Sequence, residues 1–214
     1  MRLFLRSMGS GLLALLFCSA AAAAVQPGKD YRSLQPPQPV ETGKNVEVLE
    51  FFWYGCPHCY SLQPSFKAWL KKQPKDVELR RIPAVLADNW LPLTRTYYAL
   101  DALDLVGKFH DAVFAAVHEK NIRLEDPKLL FDWVAKQGVD RQKFADVYQS
   151  FAVQNQTQRA AQLTRSYGVT GTPTIVVDGK YLTAPSMAGS YERFSEILDE
   201  LVALARKSRS GKKN

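Results

Sequence analysis

Cysteine and histidine are both scarce in this chain, with three of each among 214 residues. That scarcity limits metal chemistry at once. Zinc takes four ligands, and Cys56 and Cys59 supply only two of them. His110 and His118 stand eight residues apart without a His-Glu-x-x-His spacing, so they read as surface or internally satisfied helix histidines. A structural zinc site is not expected. Charge is missing from Ser7 to Gly28, a stretch preceded by Arg2 and Arg6 and apolar through "GLLALLF" before it turns to small residues. A basic start, a short apolar core and an Ala-x-Ala pattern such as Ala22-Ala23-Ala24 describe a secretory signal peptide, residues 1–24, removed on export. An uncleaved anchor is the alternative, because about 20 residues span a bilayer. Cys18 follows the bulky Phe17 and reads as an apolar residue of that leader, not a lipidation site. The processed chain then keeps two cysteines, in a compartment where disulfides persist.

Acids are absent from the other end. The net charge of +7 is accounted for by Arg2, Arg6 and the five cations of "RKSRSGKKN", which leaves the body near neutral. Residues 206–214 therefore read as a basic flexible tail, with an anionic membrane surface as the other reading. Nucleic-acid binding is not expected, nor is an oligomer. No internal repeat is present.

What the chain does contain is an ordered series of patterns. "VEVLEFFW" (46–53) is apolar on both parities, as in a strand buried on both faces. From Pro57 the spacing of Leu62, Phe66, Trp69 and Leu70 is helical, with Pro64 inside the helix where it removes a backbone bond. "DVELRRIPAVL" reads as a second strand. Residues 90–168 hold only helical periodicity, broken at Gly107, Gly138 and Gly168, with Asp126-Pro127 as a cap and first position. "TPTIVVDGKYLT" is strand, Asp-Gly turn, strand, and a helix capped at Ser190 closes the order. The implied division is 25–88 and 169–205 as two parts of one α/β domain, with 89–168 as an inserted helical domain.

A Cys-x-x-Cys pair with no further ligands is a staple or an exchange site. Closing so short a loop removes little chain entropy, so a staple there stabilises little. Exchange is favoured physically. Cys56 precedes a helix starting at Pro57, where unpaired N–H groups and the positive end of the helix dipole favour a thiolate. Cys59, one turn in, can resolve a mixed disulfide formed at Cys56. A protonated His58 would add positive charge beside Cys56. Stabilising that thiolate stabilises the reduced form, which makes the disulfide an oxidant of other thiols. Cys56 is thus the expected exposed nucleophile, Cys59 its partner and His58 the tuning group.

"EFFWYGCPHCY" and "GTPTIVVDGKY" resemble the active-site strand and proline loop of the DsbA family of periplasmic thiol:disulfide oxidoreductases, and the likeness covers essentially the whole processed chain. The resemblance implies an α/β, thioredoxin-like fold with an inserted all-helical domain, and a strongly oxidising pair needing no bound cofactor. It implies that Thr172-Pro173 forms a cis loop against the sulfurs, with residue 172 free to pair with an extended client strand. Glu50 matches a buried acid that helps proton transfer at the second cysteine, and Arg81 a basic position near it. A carboxylate within an otherwise apolar strand is unusual on physical grounds as well. Trp53 and Tyr54 approach the loop and are expected to line a groove for unfolded polypeptide, while Phe52 packs in the core. The implied partners are exported polypeptides with free thiols and a quinone-linked membrane oxidase of the DsbB type. Gln63 departs from the family, standing where well-known members carry a second acid; Thr172 stands where enteric members have valine. A reductase or isomerase on the same fold is the nearest rival, although the roughly 20 residues before the first core strand are too few for an isomerase's dimerisation domain. A non-catalytic peptide-binding chaperone is the rival of another class.

Overall fold

All seven residues of Val46–Phe52 are buried, which is what a strand apolar on both parities requires. In the computed structural model, which describes residues 24–211, this strand (β2) lies inside a five-stranded sheet. The expected leader, apart from Ala24, lies outside the described residues. The sheet order is β1-β5-β4-β2-β3, with β1 at Arg32–Ser33, β3 at Val77–Pro83, β4 at Thr174–Val177 and β5 at Tyr181–Thr183. Strands β2 and β3 run parallel, and β4 is antiparallel to both β2 and β5. The β4–β5 hairpin turns at Asp178-Gly179, both with positive φ, as an Asp-Gly turn demands. Residue 179 has to be glycine, since a Cβ there would lie 2.1 Å from the Gln38 carbonyl oxygen.

Strand parity sorts the two faces. Val46 and Val48 face a cluster made with Leu62, Phe66 and Trp69 of helix α1 (Pro57–Lys72) and with Phe194, Ile197 and Leu201 of the closing helix. Leu49 and Phe51 face the larger cluster, built with the helices between β3 and β4. These are α2 (Leu91–Ala102), α3 (Val106–His118), α4 (Pro127–Lys136), α5 (Arg141–Gln149) and α6 (Phe151–Ser166), entered through a 3-10 turn at Asp88–Trp90. A short α7 (Pro185–Ala188) leads into α8 (Tyr191–Ser210). Asp126 and Ser190 cap α4 and α8 through their side chains, as their sequence positions suggest.

Two details differ from expectation. Gly107 does not break a helix; it lies in the first turn of α3, and the reversal before it is carried by Asp104 with φ 56°. An aspartate tolerates that conformation better than most residues. The basic segment from Arg206 is not free either, because α8 continues through Ser210. Arg206 makes a two-pronged pair with Asp76 at 2.8 and 2.7 Å. Arg209 pairs with the buried Asp178 and donates to the Gly43 carbonyl at 2.9 Å. Its anchoring acids are distant in sequence, so a local charge count made the segment look solvated.

Candidate active site

The chain leaves β2 at Phe52, turns, and enters α1 with Cys56 as its N-cap residue (φ −88°, ψ 115°) and Pro57 in the first helical position. Proline suits that position because its missing N–H is one the helix would leave unpaired. The Cys56 side chain takes the place of a capping oxygen, its sulfur accepting from the Cys59 N–H at 3.4 Å. At the start of the neighbouring strand β4, the cis Thr172-Pro173 bond presents the Thr172 carbonyl, to which the Cys56 thiol donates at 3.3 Å. Both cysteines are free thiols in this structure.

The surroundings treat the two thiols oppositely. Cys56, expected to be exposed, is buried with 8% of its surface left, because the Thr172-Pro173 loop lies against its sulfur, and Cys59 keeps none. The Cys56 thiol is lowered to about 5, chiefly because the Cys59 thiol donates to its thiolate. Burial opposes this, while hydrogen bonds from the Thr172 side chain and from the backbone N–H groups of Cys59 and His58 add to it. The Cys59 thiol is pushed strongly upward, first by burial and then by the Cys56 sulfur beside it. One sulfur is thus a ready thiolate and the other a persistent thiol.

Glu50 is fully buried at the centre of β2. Its parity turns it to the α1 face, and parallel pairing sets it opposite Arg81 on β3. Arg81 Nε donates to one carboxylate oxygen at 2.9 Å and Gln63 Nε2 to the other at 3.0 Å. Burial raises the carboxyl above its ordinary value despite the opposing pull of Arg81 and Gln63. Gln63 lies four residues beyond Cys59, on the same helix face, so the amide that departs from the family pattern joins the acid to the turn below the second cysteine. Its Oε1 is buried without a partner.

Other expected site residues fall elsewhere. Tyr54 does not line a client groove. It is 1% exposed, its hydroxyl bonds His110 Nδ1 at 3.0 Å, and its ring packs on Phe52, Tyr97 and Phe114. Trp53 is half-buried and stacked on Trp90, with ring centres 4.2 Å apart. Neither touches the groove of about 490 Å³ beside the cysteines, which is lined by His58, Thr172, Pro173, Pro185, Met187 and Tyr191 among others. The reason is the helical block, which covers the side of the turn that Trp53 and Tyr54 face. His58 is exposed at that groove, and its contribution to the low Cys56 pKa comes from its backbone N–H. His110, read from sequence as a surface or internally satisfied helix histidine, is the second of these, buried and held neutral, its pKa driven down to about 2 by burial and by the charges of Arg81 and Lys67. Its spacing from Phe114 and His118, four residues each, was the available signal. Among the described residues no three His, Cys, Asp or Glu side chains gather as a metal-binding group.

Similarity to known proteins agrees with this geometry. The family model of the DSBA-like thioredoxin domain matches residues 81–199. The chain is 43% identical over 192 residues to the thiol:disulfide interchange protein DsbA of Burkholderia cepacia, covering 89% of this chain and 90% of that protein. It is 39% identical over 191 residues to DsbA of Pseudomonas aeruginosa, with 89% and 90% covered. Among solved structures, the E82I variant of Pseudomonas aeruginosa DsbA superposes with a TM-score of 0.82 at 38% identity, over 86% of this chain and 99% of that one. Reduced DsbA1 from Neisseria meningitidis gives 0.78 at 30% identity, over 89% and 100%. With a Cys-Pro-His-Cys helix start facing a cis-proline loop, and a block of helices set into a thioredoxin-like sheet, the chain belongs to the DsbA family of thiol:disulfide interchange proteins.

Proposed function

We propose that this protein is a dithiol oxidase of the periplasm, which passes a Cys56–Cys59 disulfide to newly exported polypeptides. The observation that carries the direction is the contrast between the two sulfurs, Cys56 lowered to about 5 and Cys59 displaced upward. A client thiolate attacks Cys56 Sγ, the Cys56–Cys59 bond breaks, and Cys59 leaves and takes up a proton. A second client thiolate attacks the client sulfur of the mixed disulfide, and Cys56 departs as a stabilised thiolate. The client has lost two electrons and two protons to form its disulfide, and the pair has gained two electrons. Because the departing Cys56 is a weak base, the second step runs forward easily.

Glu50 is the group suited to the proton at Cys59. Its raised carboxyl exchanges a proton more readily near neutrality than an ordinary glutamate, and Gln63 and Arg81 hold it in place. The groove beside Pro173 supports binding of an extended client, and the Thr172 N–H makes no bond within the described residues that a client strand would have to displace. No bound cofactor is needed, since the redox group is the cysteine pair. Return to the disulfide form calls for a membrane oxidase of the DsbB type. The same reading keeps residues 1–24 as an export leader and 89–168 as a helical insertion between residues 25–88 and 169–205.

The decisive experiment is redox equilibration of the pair against glutathione, together with disulfide formation in a reduced unfolded client. An oxidising pair whose client activity disappears in Cys56→Ser supports the proposal. A pair as reducing as thioredoxin overturns it in favour of a reductase. Client activity undiminished in Cys56→Ser overturns it altogether.

A further inference from the structure

Residue 55 is glycine for a reason visible in the turn itself. A Cβ at Gly55 would lie 2.4 Å from the Trp53 indole, which its stack on Trp90 holds in place. The residue immediately before Cys56 is therefore the conformationally freest type in the chain, at the point where the position of the sulfur under α1 matters most. Within the turn, the Cys56 N–H donates to the Trp53 carbonyl at 3.0 Å. The second restraint comes from outside. His118 Nε2, at the last residue of α3, lies 2.8 Å from the Tyr54 carbonyl oxygen. A carbonyl only accepts, so Nε2 carries a hydrogen and is the donor.

His118 is itself held. Its ring stacks on Tyr60 of α1, with centres 5.1 Å apart and planes 12° from parallel, and the Tyr60 hydroxyl donates to Glu119. His110, Phe114 and His118 recur every fourth residue and so share one face of α3. That face grips Tyr54 twice, at its hydroxyl through His110 and at its carbonyl through His118.

We propose that His118 is a positioning residue for the redox pair, fixing the Tyr54–Gly55 peptide so that Cys56 Sγ meets the N–H groups at the start of α1. This rests on reading Cys56 as the low-pKa nucleophile. No proton or electron passes through His118. Without its hydrogen bond the peptide turns about Gly55, and Cys56 Sγ loses alignment with the Cys59 N–H that lies 3.4 Å away. The Cys56 thiolate is then less favoured and the pair less oxidising.

Two substitutions separate the hydrogen bond from the ring. His118→Phe keeps a ring to stack on Tyr60 and has no donor; His118→Gln keeps an N–H and has no ring. His118→Met serves as the donor-less variant should Phe fail to fold. Tyr54→Phe removes the hydroxyl bond to His110 and leaves the carbonyl bond intact. In each, the Cys56 pKa is read from the ultraviolet absorbance of the thiolate and the redox equilibrium is measured against glutathione, with thermal unfolding alongside. His118→Phe is expected to shift the equilibrium toward the disulfide by about fivefold, the worth of one neutral hydrogen bond, and to raise the Cys56 pKa accordingly. His118→Gln is expected to return most of that shift, and Tyr54→Phe to move it less than His118→Phe does. A role in folding alone would change the melting temperature and leave both redox readouts still. Unchanged readouts in His118→Phe, or equal shifts in the Phe and Gln variants, overturn the proposal while the parent thiol remains low. A parent Cys56 that titrates like free cysteine overturns the reading of Cys56 itself, and this inference with it.

Discussion

The low Cys56 pKa makes a quantitative demand on the stability of the reduced protein. In the unfolded chain the thiol returns to its ordinary value of 9.0, whereas in the folded dithiol form it sits at about 5. Between those values the unfolded state binds more protons than the folded one, so stability rises with pH across that window. It is lost as the pH falls through the folded value. At pH 7 the folded thiol is ionised and the unfolded one is not, and two pH units above the folded pKa are worth about 2.7 kcal/mol. Small domains have total stabilities of about 5–15 kcal/mol, so the effect is a large share of the whole. Cys59 adds nothing in this range, because its thiol stays protonated in both states. The assay is urea unfolding of the reduced protein from pH 5 to pH 8, beside Cys56→Ala under identical conditions. Subtraction of the two curves removes other titrating groups, including Glu50, whose raised carboxyl acts with the opposite sign by favouring the folded state at low pH. A difference that climbs by about 2 kcal/mol between pH 5 and pH 7 is expected. A flat difference would refute the placement of a thiolate at the start of α1.

Three further outcomes follow from named contacts. Cys59→Ala removes the largest influence lowering the Cys56 pKa, the donated thiol hydrogen, so the Cys56 thiolate absorbance should appear at higher pH in that variant. Gly55→Ala drives a Cβ into the Trp53 indole and should cost about 1–3 kcal/mol of overpacking, read as a fall in melting temperature; an unchanged melt would mean the Trp53–Trp90 stack yields freely. Truncation after Ala205 leaves Asp178, whose side chain is 3% exposed, with Lys180 as its remaining cation. It should destabilise the protein by about 1–3 kcal/mol in urea unfolding, whereas a frayed tail would be lost without effect.

The parts legible in the sequence are those set by neighbours along the chain. Strand β2 was visible because its apolar residues occupy both parities, the hairpin because Asp178-Gly179 suits its turn, and the start of α1 because Pro57 follows a residue able to cap it. The contrast between Cys56 and Cys59 was half visible: the helix start is local, but the sealing of Cys59 is tertiary. What stayed hidden depends on how the helical block seats on the sheet. Tyr54 looked like a groove residue because it adjoins the motif, yet α3 covers it and supplies His110 to its hydroxyl. The partner of His118 stayed hidden because it is a backbone carbonyl, which no side-chain pattern can announce. Arg206 and Arg209 looked free because Asp76 and Asp178 are brought to them only by the fold. Gln63 departs from the family pattern, and the structure supplies its meaning in a bond to Glu50.

The two thiols are chemically identical and lie within one helical turn, so their divergence belongs to the fold. A Cys-x-x-Cys peptide with an intermittent helix start would offer Cys56 only part-time N–H donors, and it would leave Cys59 in water with an ordinary pKa. In the folded protein the donors are fixed, while the burial of Cys59 keeps its hydrogen available for donation to the Cys56 thiolate. Folding therefore favours the dithiol over the disulfide, and a thermodynamic cycle makes the converse unavoidable. If the folded state favours the dithiol more than the unfolded state does, the dithiol must favour the folded state more than the disulfide does, by the same free energy. Oxidising strength and the extra stability of the reduced form are one quantity measured along two edges of that cycle. A change that loosens the turn before Cys56 must lower both together, and a change elsewhere in the core that merely weakens the fold lowers stability in both redox forms and leaves the potential alone.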